Sequence, residues 1–184
     1  MLLTPGPTPV PEFVRKAMAD ITIHHRTEEF EAIFKNTREL LIEIYDMPEV
    51  VMLASSGTGA MEACVTNLTH KKALTINSGK FGERFGKICA AFGIDYTEIK
   101  NEWNTPVSVE AVINAIKADS SIDAVFIQIC ESAGGLRHPV EEIAAEIKKI
   151  NKDITIVADG ITAVGVEKID TTNLDAVVTG SQKA

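Results

Sequence analysis

The stretch that decides the fold is DAVFIQICESAGGLRHPVEEIAAEIKKINKDITIVAD, residues 123–159. Two apolar runs rich in Val and Ile, residues 123–130 and 154–159, flank residues 140–150, whose apolar positions recur at helical spacing. Such runs are typical of strands buried on both faces, and the segment between them is typical of an amphipathic helix. The stretch therefore predicts a strand–helix–strand unit with two parallel strands.

The same alternation continues on both sides of this unit. Further apolar runs predict strands at residues 50–54, 73–78, 95–100 and 175–180, and amphipathic patterns predict helices at residues 61–68, 79–92 and 108–118, the last capped by Ser108. Nearer the N-terminus we predict a short helix over residues 11–20 and a long helix that Thr27 caps and Met47–Pro48 ends. The fold class is thus α/β, with a mainly parallel sheet flanked by helices on both faces.

Composition limits the class of protein. A chain of 184 residues with 45% hydrophobic side chains can build one large domain with a real core. The net charge of −8 argues against a nucleic-acid partner, and neither a signal peptide nor an apolar run of membrane-spanning length is present. Cys64, Cys89 and Cys130 lie far apart in apolar segments, which predicts buried free thiols and a cytoplasmic location.

Polar turns follow the predicted strands at the points where ligands bind in parallel α/β sheets. They read SSGTG (residues 55–59), NSGKFG (77–82), ESAGG (131–135), DGITA (159–163) and GSQK (180–183). Because the carboxyl ends of parallel strands meet at one edge of a sheet, we expect these turns to line one crevice.

The first turn combines glycine with hydroxyl side chains at the start of a helix. Free backbone N–H groups at such a position bind phosphate, and Ser56, Gly57 and Thr58 would add donors and allow a close approach. The turn matches neither GxxxxGK[ST] nor GxGxxG. An ordinary capped strand-to-helix turn has the same composition, so the motif alone leaves both interpretations open.

Three other residues at strand ends have a functional and a structural interpretation each. Asp159 can pair with a protonated ring nitrogen or cap the turn DGIT. Lys183 can serve as an amine nucleophile toward aldehydes or stand on the surface. Phe81 can stack on a flat ring or join Phe85 and Phe92 in the core.

Lesser candidates complete the set. Ser132 can donate to a ligand oxygen, whereas for Glu131 we favour a structural role that holds loops together. His24–Arg26 forms the one dense basic and imidazole cluster; its pattern favours an interface or loop-anchoring role over a metal site. We interpret His70 and His138 as ordinary surface residues.

A phosphate turn, an aromatic, an acid and a lysine, in this chain order, match what pyridoxal phosphate requires of a protein. At this point the sequence resembles the class V aminotransferases of pyridoxal-phosphate fold type I, and among them the serine–pyruvate / alanine–glyoxylate group. The resemblance is carried by TPGPTPVP (residues 4–11), HHRTEEF (24–30), SSGTGAMEA (55–63), NSGKFGER (77–84), ADGITAVG (158–165) and TGSQKA (179–184).

The resemblance implies a role for each matching residue. Lys183 would form the Schiff base with pyridoxal 5'-phosphate and move the proton at the substrate α-carbon, and Asp159 would keep the pyridine nitrogen protonated. The phosphate would be held by Ser56, Gly57 and Thr58.

The same resemblance places Gln182 near the phosphate, Phe81 on the ring face and Ser132 at the ring hydroxyl. Gly6 would lie close to the substrate. No metal is implied.

Two departures from the family pattern bear on these roles. The stacking position is often Trp in this group and is Phe81 here, while the single Trp103 lies elsewhere. Hydroxyl residues often follow the Glu-Ser pair, where this chain has Ala133 and Gly134.

Family members also continue well past the lysine. We therefore expect residues 1–184 to form a single, incomplete large domain that binds the cofactor, without the C-terminal small domain that carries the arginine for the substrate carboxylate. The complete enzyme would be a homodimer that moves an amino group from a small amino acid (serine-, alanine- or aspartate-like) to glyoxylate or pyruvate, and this fragment alone would be poorly active or inactive. Two alternatives stay open: a lyase or desulfurase with the same cofactor, for which Cys130 is the cysteine nearest the strand ends, and a non-catalytic domain that binds a phosphate ligand.

Overall fold

The computed structural model describes residues 4–183 of the chain, which divides into two compact units. The first unit contains the described residues up to Met52 together with Gln182 and Lys183, and the second unit is Leu53–Ser181.

Two helices form the body of the first unit, and their ends follow local sequence signals. Helix α1 spans Glu12–Met18 and helix α2 spans Glu28–Tyr45. The hydroxyl of Thr27 caps α2 by accepting the backbone N–H of Phe30 at 3.3 Å, and three of the first four helical residues are acidic, which suits the positive end of the helix dipole. Both predicted helices and the Thr27 cap are confirmed.

The strand predicted at residues 50–54 is wrong. These residues form irregular chain, and Val51 is 77% exposed. Apolar composition favours an extended, buried conformation, but a strand also needs a neighbour with which to exchange backbone hydrogen bonds. No described strand pairs with this segment.

A five-stranded parallel sheet forms the centre of the second unit. Its strands are β1 (Lys72–Asn77), β2 (Tyr96–Lys100), β3 (Ile122–Gln128), β6 (Thr155–Asp159) and β7 (Ala176–Val178), in the spatial order β2-β1-β3-β6-β7. Every adjacent pair is parallel. The chain passes from β1 outward to β2 and then returns to place β3 on the other side of β1. The strand order therefore reverses between β1 and β3, where open sheets of this class form a ligand crevice.

Helices cover both faces of the sheet, as predicted. They are α3 (Gly57–Leu68), α4 (Gly82–Ala91), α5 (Val109–Ala118) and α6 (Val140–Ile150). Side chains of successive strand residues enter opposite cores: Val125 and Ile127 pack with residues of α5 and α6, whereas Phe126 packs with residues of α3 and α4. The rings of Phe126 and Phe85 lie 5.2 Å apart between centroids.

A small antiparallel pair, absent from the sequence prediction, follows β3. Strand β4 (Cys130–Glu131) pairs with β5 (Leu136–Arg137). The pair bends the chain back at the carboxyl end of β3 and fixes the position of Glu131, whose side chain is fully buried.

Candidate functional site

The turn before α3 presents a helix N-terminus with a close approach of the backbone. Ser56 is the N-cap residue in extended conformation, but its hydroxyl makes no capping hydrogen bond within the described part of the chain. The first N–H groups of a helix have no partners within the helix and suit an anion. Gly57 is buried, and a Cβ on it would run into the end of the Ile161 side chain, which would have to move.

Arg84 joins this turn to the start of α4. Its Nη1 donates to Oγ1 of Thr58 at 2.9 Å, and its guanidinium carbon lies 4.9 Å from the ring centroid of Phe81. Thr58 and Phe81, which the sequence assigned to phosphate and ring binding, are thus brought together by a residue to which the sequence analysis gave no role. The sequence signal that could have found Arg84 was its spacing from Phe81, because residues three apart at the start of a helix face the same side.

The backbone of Phe81 is held from both sides. Its N–H donates to Oε2 of Glu131 at 2.8 Å, and its carbonyl accepts Nε2 of Gln128 at 3.2 Å. Oε2 of Glu131 also accepts the N–H of Gly82 at 2.9 Å, and Oε1 accepts that of Ala133 at 3.1 Å. The predicted structural role of Glu131 is confirmed, since its buried carboxylate ties the start of α4 to the turn after β4.

Asp159 ends β6 with 5% of its surface exposed. Its Oδ1 accepts the backbone N–H of Ile161 at 3.0 Å, so the turn-capping interpretation of this residue is present in the structure. A buried carboxylate also favours a cationic partner. Its pairing with a ring nitrogen stays a prediction.

Ser132 lies half-buried in the turn between β4 and β5. The two following residues, which lack the hydroxyl groups frequent in the family, serve the turn through their backbones. The N–H of Ala133 bonds the Glu131 side chain, and the N–H of Gly134 donates to the Glu131 carbonyl at 3.2 Å. The contact of Ser132 with a ligand is also a prediction.

The first unit brings Gly6, Gln182 and Lys183 together. The N–H of Thr8 donates to the carbonyl of Gln182 at 3.1 Å, and the Thr8 hydroxyl donates to the carbonyl of Lys183. A Cβ on Gly6 would lie 2.9 Å from Nζ of Lys183. The N-terminal segment thus runs against the lysine, and glycine leaves the space that the amine occupies.

The interpretation of His138 as a surface residue is wrong. The imidazole is fully buried, and its Nδ1 accepts the N–H of Val107 at 3.1 Å. Within residues 4–183 its Nε2 has no hydrogen-bond partner. Burial lowers the pKa of His138 to about 4. His138 lies between β5 and α6, which bury it. His70 is exposed, as expected.

The His24–Arg26 cluster forms a turn that leads into α2. The two imidazoles stack with centroids 4.6 Å apart, Nδ1 of His24 accepts the N–H of Arg26 at 3.1 Å, and the Thr27 hydroxyl donates to the His24 carbonyl at 2.9 Å. These contacts are those of a loop anchor. Across residues 4–183 no three His, Cys, Asp or Glu side chains are grouped to hold a metal ion.

The three cysteines are free thiols in the described chain, as predicted, but only Cys89 is fully buried; Cys64 and Cys130 are half-buried. Burial raises the pKa of the Cys89 thiol to about 11 and also raises the pKa of Cys64. Among the described residues, no helix combines the length and the apolar character needed to cross a membrane.

Comparison with known proteins agrees with this geometry. The family model for aminotransferase class V matches residues 2–184. An uncharacterized aminotransferase of Helicobacter pylori strain J99 is 50% identical over 184 residues, which is the whole of this chain and 50% of that protein. The L-aspartate–glyoxylate aminotransferase of Paracoccus denitrificans is 27% identical over 99% of this chain and 48% of its own length. The chain thus spans about half the length of these relatives.

Solved structures extend the likeness to the fold. The aspartate aminotransferase of subgroup IV from Thermus thermophilus superposes with a TM-score of 0.90 at 31% identity, over 98% of this chain and 52% of that one. The parallel sheet with its polar strand ends is therefore the fold type I architecture of pyridoxal-phosphate enzymes. The chain belongs to the class V aminotransferase family, whose cofactor is pyridoxal 5'-phosphate.

Proposed function

We propose that the protein containing this chain is a pyridoxal-phosphate-dependent aminotransferase that moves an amino group from a small amino acid to a small 2-oxo acid. The observation that carries the proposal is the cluster in the second unit, where a helix N-terminus, the Thr58 hydroxyl and the Phe81 ring are joined by Arg84. An anion-binding turn beside an aromatic face matches a ligand with a phosphate and a flat ring.

The residues present fit the cofactor. When bound, pyridoxal 5'-phosphate supplies an aldehyde that takes up the amino group and a ring that accepts electrons. Ser56, Gly57 and Thr58 would hold its phosphate by backbone N–H groups and hydroxyls, and we assign Gln182 to the same group. The uncapped first turn of α3 supports this assignment, since its donors suit an external anion.

Three side chains hold the ring in this proposal. Phe81 stacks on one face, and its backbone anchors at Glu131 and Gln128 fix the ring position. Asp159 would accept a hydrogen bond from the protonated ring nitrogen, and its near-complete burial would strengthen that ion pair. Ser132 donates to the ring hydroxyl.

Lys183 is the proposed catalytic residue. Its primary amine would hold the cofactor through the aldehyde group and would remove and return the proton at the substrate α-carbon. Lys183 follows the end of β7 at Val178 within the same turn, TGSQK. Gly6 lines the path to this amine, because a larger residue there would collide with it.

The substrates and the assembly belong to the proposal as well. We infer a serine-, alanine- or aspartate-like donor and glyoxylate or pyruvate as acceptor, in line with the name of the Paracoccus denitrificans relative. Residues 1–184 would belong to one cofactor-binding domain of a cytoplasmic homodimer. For the desulfurase alternative, burial raises the pKa of Cys64 and Cys89, which disfavours both as nucleophilic thiols and leaves Cys130 as its candidate.

Borohydride trapping tests the proposal. The natural protein is loaded with pyridoxal 5'-phosphate, reduced and digested, and the expected result is a pyridoxyl mass on the peptide containing Lys183. Lys183→Arg should abolish the adduct. Lys152→Arg, at an exposed lysine that precedes the amino end of β6, should leave it intact. An adduct on another lysine, or none, would refute the assignment.

A further inference from the structure

Arg84 joins two groups of the proposed site, but the proposed function gives it no role of its own. It is half-buried in the first turn of α4, and among residues 4–183 it forms no ion pair with an acidic side chain. The neighbouring Glu83 instead pairs with Lys87 at 2.7 Å. A guanidinium that is partly withdrawn from water and lacks a carboxylate partner favours an anion close by.

The hydrogen bond to Thr58 sets the direction of the threonine hydroxyl. Its Oγ1 accepts Nη1 of Arg84 at 2.9 Å. A hydroxyl that accepts through one lone pair still has its own proton to donate. Hydrogen bonds in a chain also polarise one another, so donation from a cation strengthens donation by the hydroxyl. The guanidinium therefore leaves Thr58 arranged as a donor toward an anionic acceptor.

The contact with Phe81 couples the same cation to the stacking ring. The guanidinium lies 4.9 Å from the ring centroid, so a stacked heterocycle would take the opposite face. The N–H of Arg84 also donates to the Phe81 carbonyl at 3.1 Å. One residue thus contacts both the group assigned to the phosphate and the group assigned to the ring.

We propose that Arg84 is a positioning residue that directs the Thr58 hydroxyl onto the cofactor phosphate. The inference rests on the proposed function. It makes a distinctive prediction, since an effect relayed through Thr58 depends on the phosphate of the ligand and not on its ring.

The test compares two ligands that differ only in the phosphate. Dissociation constants of pyridoxal 5'-phosphate and of pyridoxal are measured on the natural apoprotein by titrating the cofactor absorbance band. Arg84→Gln should weaken the binding of pyridoxal 5'-phosphate about tenfold, as expected for the loss of one hydrogen bond to a charged group. Its effect on pyridoxal should stay below about twofold, within the range of a single weak contact. Arg84→Lys, which keeps the charge, should recover part of the loss.

A double-mutant cycle tests the relay itself. Thr58→Val should weaken the binding of pyridoxal 5'-phosphate by a similar factor. Combining it with Arg84→Gln should raise the dissociation constant by less than a further factor of about two, because both changes remove the same bond. Lys87→Gln, at an exposed position on the same helix, is the matched control and should change neither constant.

The outcomes separate this inference from the proposed function. Three results would overturn the role of Arg84 even when trapping at Lys183 of the wild-type protein succeeds. They are additive losses of affinity in the double mutant, an equal loss of affinity for both ligands in Arg84→Gln, and no loss of affinity in Arg84→Gln. Failure of that wild-type trapping would refute the proposed function instead. If Arg84→Gln does not fold, Arg84→Lys and Thr58→Val still decide the matter, since a phosphate-independent effect in both contradicts the relay.

Discussion

Replacing Glu131 with Gln tests how the start of α4 is held. The carboxylate is fully buried and accepts three backbone N–H groups, from Phe81 at 2.8 Å, Gly82 at 2.9 Å and Ala133 at 3.1 Å. A glutamine oxygen can still accept the pair from α4, but as a neutral acceptor it binds them less strongly. Its NH₂ group then faces the N–H of Ala133, so two donors meet without an acceptor between them.

These losses give the expected magnitude. One abolished bond to a charged acceptor and two weakened ones amount to about 3 kcal/mol of destabilisation. The free energy of unfolding is measured by urea denaturation of Glu131→Gln beside Glu142→Gln, an exposed control on α6 that should change stability by less than about 0.5 kcal/mol. If the two variants differ by less than about 0.5 kcal/mol, the buried carboxylate does not hold the start of α4 as reasoned.

Two further predictions concern the lysine and the buried histidine. Gly6→Ala should slow borohydride-trappable cofactor attachment about tenfold or more, because its Cβ would lie 2.9 Å from Nζ of Lys183 and displace the amine; an unchanged rate of attachment would contradict this. Burial holds the pKa of His138 at about 4, against 6.5 for an exposed imidazole, so the unfolded state binds the proton at a higher pH than the folded state. The free energy of unfolding should therefore fall by up to about 3 kcal/mol as the pH drops from 6.5 to 4. His138→Asn, which keeps an acceptor but does not titrate, should lose this acid-dependent decline in urea denaturation, and parallel pH profiles for the two proteins would argue against it.

Local patterns were sufficient to predict most of the second unit. Helix α6 begins and ends at the predicted residues 140 and 150, because a strong helical period lies between a proline and a polar turn. Strands β3 and β6 were found from continuous apolar runs, which only a sheet covered on both faces accommodates.

Features that depend on distant residues were missed or mispredicted. The segment at residues 50–54 has strand composition but no described partner, and pairing cannot be read from composition. The two-residue strands β4 and β5 are too short to show a period. The buried His138 is hydrogen-bonded to Val107, 31 residues away in the chain, and Arg84 is hydrogen-bonded to Thr58, 26 residues away. Both separations exceed the range of local sequence patterns.

The polar band at the carboxyl ends of the strands is best explained by function. Asn77, Ser78, Gln128, Glu131 and Asp159 are each at least 95% buried. Buried polar groups cost free energy unless satisfied, and within residues 4–183 the side-chain oxygens of Asn77 and Gln128 have no hydrogen-bond partner. A sheet selected for stability alone would end its strands in apolar residues, like those at residues 124–127 of β3 and 156–158 of β6. Glu131 and Gln128 instead bond the backbone of Phe81, so this cost is borne where the proposed function needs an aromatic ring held in place for a ligand.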